Sequence, residues 1–113
     1  MKKEKYWWHV FVEAQLYLSN EGEGARNLPV YDGYSPNHKF SENLFLMGFL
    51  TEIAGDSIKP GEEKHVKITF VVGEPFQDLF KEGATWKVHE GGNCVGSGVI
   101  LNVLQKVKAT RCE

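Results

Sequence analysis

Few residues in this sequence are of types that do chemistry, and their spacing limits what that chemistry can be. The four histidines, His9, His38, His65 and His89, stand far apart, with no pair at the close spacing of a local metal site. His89 and Cys94 flank Gly91-Gly92, so a turn at the glycines sets an imidazole and a thiol across a hairpin. Two ligands are too few to hold a metal and no third is evident, so no metal is expected. Ser35 and Ser97 lie beside proline or glycine, but neither forms a nucleophile elbow, and no serine, histidine and acid set is recognisable. No catalytic residue and no cofactor are expected. Arg26, in a polar loop, is a candidate phosphate ligand, the alternative being an ion pair with a nearby glutamate.

These residues have to be positioned by a chain of 113 residues, the size of one ordinary domain. The expectation is a single domain over 1–113, with residues 1–8 as an N-terminal extension and 105–113 as a partly ordered tail. Hydrophobic residues at 42% with charged residues at 25% argue against disorder. A formal charge of −2 supplies no whole-molecule field for nucleic acid, so any RNA contact has to rest on a local patch. No apolar run suits a signal peptide or a membrane span, and two cysteines are too few for a disulfide framework; the expected address is cytoplasmic, with no membrane contact.

Periodicity reads mostly as strands. From His9 to Leu18, Val10, Val12, Ala14, Leu16 and Leu18 alternate with more polar residues, as they do in a half-buried strand. The glycine- and proline-bearing stretch Ser19 to Asn37 is a long connection and hence a candidate binding loop. Asn37 to Ile53 reads as two short strands, or one bent strand with a bulge. Lys59-Pro60-Gly61-Glu62 suits a type II turn, and Val66, Ile68, Phe70 and Val72 mark another strand. Pro75 to Gly83 reverses the chain, with room for one helical turn.

A two-residue turn at Gly91-Gly92 pairs Val88 with Val95, Lys87 with Gly96 and Trp86 with Ser97. One face of that hairpin is then core (Trp86, Val88, Val95, Val99, Leu101, Val103), and the other is bare (Lys87, His89, Cys94, Gly96, Gly98) and open to a partner. About six short strands with regular turns predict an all-β fold, a closed barrel.

The run Gly24-Ala25-Arg26-Asn27-Leu28-Pro29-Val30-Tyr31-Asp32-Gly33-Tyr34-Ser35-Pro36, with His89-Glu90-Gly91-Gly92-Asn93-Cys94-Val95-Gly96-Ser97-Gly98-Val99 far downstream, resembles the C-terminal (third) β-barrel of translation elongation factor Tu. The likeness covers roughly residues 9 to 104 and implies a six-stranded Greek-key barrel. No phosphate loop of the glycine, four residues, glycine-lysine type occurs, so no GTPase activity is implied. In that family the domain touches tRNA and other translation factors. Carried over, Arg26 matches a phosphate-contacting arginine, Glu90 and Gly91 match a hairpin tip that meets tRNA, and Asn37 stands where glutamine is usual. Ser35 and Ser41-Glu42-Asn43 replace cationic positions, and Glu74 reverses a sign, which weakens a tRNA contact of the parental kind.

The leading expectation is therefore a non-catalytic binding module for tRNA, another structured RNA or a translation factor, through Arg26, Asn37, Glu90 and Gly91. Trp7, Trp8, Lys87, His89, Gly96 and Gly98 form a further candidate partner surface. A homo-oligomer built on the apolar stretch Phe45 to Phe49 and the bare hairpin face is the second expectation, and a barrel that binds a small ligand is the third.

Overall fold

The computed structural model describes residues 6–22 and 26–110. Eight strands follow in order: β1 (Tyr6–Leu18), β2 (Val30–Tyr31), β3 (Asn37–Ser41), β4 (Leu44–Ile53), β5 (Ser57–Ile58), β6 (Glu63–Gly73), β7 (Thr85–Glu90) and β8 (Asn93–Thr110). A 3-10 turn, Phe76–Leu79, lies between β6 and β7. Six strands close a barrel in the order β1-β6-β4-β3-β7-β8, every pair antiparallel, and β8 returns to β1. Because β3, β4 and β6 are successive neighbours and β1 lies beside β6, these four strands make a Greek key. The short β2 and β5 pair with each other, Val30 opposite Ile58.

The alternation in β1 has its expected consequence: Val10, Val12, Ala14, Leu16 and Leu18 are fully buried. Burying each of the larger ones contributes about 1.5–3 kcal/mol. Asn37 to Ile53 forms two strands, with bulges at Phe40 and Thr51. Gly61 takes a φ of 92°, and the Glu62 amide donates to the Lys59 carbonyl, as a type II turn requires. An aromatic cluster fills the centre: Phe40 stacks on Trp86 at 5.6 Å, and Phe70 meets His38, Phe80 and Trp86.

The hairpin register differs from the expected one beyond its first two pairs. Glu90 does lie opposite Asn93 and His89 opposite Cys94, but Val95 is a bulge, so Val88 pairs with Gly96, Lys87 with Ser97 and Trp86 with Gly98. The extra residue reverses the faces that follow: Gly96, Gly98 and Ile100 turn into the core, while Val99 is half-buried and Leu101 exposed. Further shifts at Leu101 and Leu104 let one 18-residue strand follow both β7 and β1.

Both expected extensions also change. Residues 105–110 are strand, Tyr6 pairs with Thr110, and the first strand takes in Tyr6, Trp7 and Trp8. A free sheet edge is an unsatisfied row of donors and acceptors, so each of these segments completes the other.

Candidate binding site

Arg26 leaves the β1–β2 connection, Tyr34 lies between β2 and β3, and Glu90 ends β7. The barrel brings these three together. The Arg26 guanidinium pairs with Glu90 Oε2, and the Tyr34 hydroxyl donates to the same oxygen at 2.5 Å. Arg26 Nε donates to the Leu28 carbonyl at 3.1 Å, its Nη2 reaches the Pro29 carbonyl at 3.5 Å, and the guanidinium carbon lies 5.4 Å from the Tyr34 ring centre. The Leu50 amide donates to the Tyr34 carbonyl at 3.0 Å, which fixes this loop to β4. Burial, and then the Glu90 carboxylate, hold the Tyr34 phenol well above its ordinary range.

The chemistry of this knot is that of a closed ion pair. Glu90 neutralises Arg26, so an incoming phosphate would have to displace a carboxylate that also holds Tyr34. Gly91 follows Glu90 with φ 60°, as the first position of a II′ turn does. Asn37 is exposed and lies opposite His89, one residue from Glu90, so all four residues expected to form the binding set sit near one end of the barrel. Gly24 and Ala25, which belong to the same motif, lie outside the described residues, as does Cys112.

The further candidate surface does not form one patch. Trp7 and Trp8 begin β1, whereas the hairpin tip lies beyond its other end, about 35 Å away along the strand at about 3.3 Å per residue. Trp8 Nε1 donates to Glu74 at 3.3 Å, and Lys108 lies over the rings of Tyr6 and Trp8. Lys87 and His89 do face outward, lining an open groove of about 720 Å³ with Lys39, Glu42 and Cys94. Gly96 and Gly98 do not leave that surface bare, because the missing side chain of each points inward; Gly98 still borders the groove, and Gly96 is buried. A Cβ on Gly96 would come 2.2 Å from the Tyr17 carbonyl oxygen, and one on Gly98 would come 2.4 Å from the Trp86 ring. The bare face is a slot for an indole and a neighbouring backbone.

The Cys94 thiol reaches the Gly96 carbonyl at 3.5 Å, and among the described residues no group of three His, Cys, Asp or Glu side chains could hold a metal. No family model matches the chain.

His38 is the polar residue that the sequence reading missed. It is fully buried, with Nε2 3.0 Å from the Gly48 carbonyl and Nδ1 3.0 Å from the Trp86 indole nitrogen. The indole N–H can only donate, so Nδ1 accepts and Nε2–H donates to Gly48: a neutral imidazole with both nitrogens satisfied. Burial pushes its pKa down to about 4, against the opposing pull of the Gly48 hydrogen bond. A buried tryptophan that needs an acceptor was the available signal, but it names no partner until β3 and β7 are paired.

Proposed function

We propose that this chain is a non-catalytic binding module of the elongation factor Tu third-domain type, engaging a component of the translation apparatus with the end of the barrel that carries Arg26, Tyr34, Asn37, Glu90 and Gly91. The observation behind this is convergence: residues of the two separated motifs that carry the resemblance, Arg26 and Glu90, are 64 positions apart in sequence and in direct contact. The six-stranded antiparallel barrel is the fold that the resemblance implies.

A protein partner is favoured over tRNA by the state of Arg26. Its charge is already matched by Glu90, the molecule carries −2 overall, and phosphate contacts need uncommitted cations. The test is retention of purified translation factors and of tRNA on immobilised protein at physiological salt. The expected result is a retained factor that is lost on Arg26→Ala or on replacement of Gly91, with tRNA unretained. Salt-sensitive tRNA retention that strengthens in Glu90→Gln, where Arg26 is freed, would move the assignment to RNA. Retention of neither class would end the proposal.

A further inference from the structure

Four strands of the barrel wall turn outward side chains that include no Asp, Glu, Lys or Arg. On β4 these are Phe45, Met47 and Phe49, exposed by 49%, 68% and 37%. The register carries the tract sideways: Phe49 lies opposite Thr69 and Thr69 opposite Phe11, while Met47 lies opposite Val71, Val71 opposite His9 and His9 opposite Val107. Residues directly opposed in a sheet share a face, so these rows form one tract over β4, β6, β1 and β8 with no Asp, Glu, Lys or Arg in it. Thr69, between the two phenylalanines, is buried despite facing outward. A tract of this width, apolar except for Thr69 and His9, differs from singly scattered exposed hydrophobics and suits face-to-face sheet packing.

The two ends of β4 carry opposite charge. Beside Phe45 lies Lys39, its ammonium 5.8 Å from the ring centre, with Lys87 opposite it on β7; one carboxylate, Glu42, lies 3.7 Å from Lys39. Beyond Phe49 lie Glu52 and Glu13, both opposite the single Lys67. One end thus has two lysines to one glutamate, and the other has two glutamates to one lysine, with His65 3.0 Å from Glu13.

The geometry points to a two-fold dimer of this chain, with the β4 face of one copy packed antiparallel on the β4 face of the other. A two-fold axis through the centre of the tract lays the Lys39 end of each copy on the Glu52 end of its partner. The middle, without Asp, Glu, Lys or Arg, meets its own copy with no pairing of like carboxylates or of like lysine and arginine cations. The face is therefore complementary to itself, which selects a second copy as its occupant. This inference rests on the tract and its flanking charges rather than on the Arg26–Glu90 knot, which lies outside it; of the proposed binding end, Asn37 borders the tract opposite Met47.

Sedimentation velocity over a range of concentrations tests it. The expected species has twice the 12.8 kDa mass of the chain. Met47→Lys, at an exposed position, is expected to give a monomer with an unchanged circular dichroism spectrum. Lys39→Glu and Glu52→Lys are each expected to weaken dimerisation about tenfold at low salt, and the double exchange, which restores opposite signs across the two-fold axis, to recover it. The charge exchanges lie on the surface and keep the test valid if Met47→Lys disturbs folding. A chain that stays monomeric up to about 1 mM overturns the proposal. So does a dimer that survives Met47→Lys, or a double exchange no better than either single one.

Discussion

Two polar clusters in this barrel meet opposite environments. His38, Trp86 and the Gly48 carbonyl form a neutral relay in the core, whereas Arg26, Glu90 and Tyr34 form a charged knot at the rim with side-chain exposures of 23% and 33% for the ion pair. Inside, no water replaces a lost partner, so each polar atom is indispensable to its neighbour. At the rim, water competes for both ions, which makes the pair weaker as a structural bond and available for exchange with a partner. The core cluster therefore holds the barrel, and the rim cluster is the one on which the proposed binding function rests.

That contrast is open to experiment. The largest expected effect is from Trp86→Ala, about 4–5 kcal/mol of stability by chemical denaturation, because it leaves a large cavity and strips His38 Nδ1 of its donor. A loss no larger than that of an exposed substitution would break the comparison.

Acid comes next. The folded pKa of His38, about 4, lies below the ordinary 6.5, so the unfolded chain binds the extra proton between those values. Its contribution is complete above pH 6.5 and declines as pH falls towards 4, by up to about 3 kcal/mol. Denaturation midpoints across that window, set against His38→Gln, should show the slope in the parent chain and its absence in the variant.

Gly98→Ala is expected to cost about 2 kcal/mol, since its Cβ falls on the Trp86 ring. Trp86 fluorescence should shift with it. The smallest effect belongs to the rim: Arg26→Ala should cost about 1 kcal/mol or less, discounted for its solvent exposure and reduced further by salt. A double-mutant cycle with Glu90→Gln at two ionic strengths measures that coupling. A salt-independent coupling as large as that of the core would erase the distinction between the two clusters.

Legibility followed the range of the interaction involved. Alternation from Val10 to Leu18 exposed the inward face of β1, because side chains in a strand change sides at every residue whatever the strand pairs with. The turns at Gly61 and Gly91 were readable because only a residue without a Cβ takes those φ values easily. Arg26 and Glu90 stood out as candidates through their motifs, but their contact with each other and with Tyr34 was not visible. The Gly96 and Gly98 face was assigned to the wrong side because a single bulge at Val95 inverts the faces from Gly96 to Ile100, and a bulge leaves no mark in the hydrophobic pattern of one strand.

By itself, the sequence determined an all-β chain of roughly six barrel strands, the core side of β1 and β6, and the position of the tight turns. These are local matters of side-chain periodicity and backbone freedom. Tertiary structure alone decided that residues 105–110 form strand by pairing with β1, that His38 is a buried acceptor for Trp86, and that Arg26 is closed onto Glu90. Each of these depends on which distant strands become neighbours. The closure of the barrel settles that choice by leaving no edge unpaired.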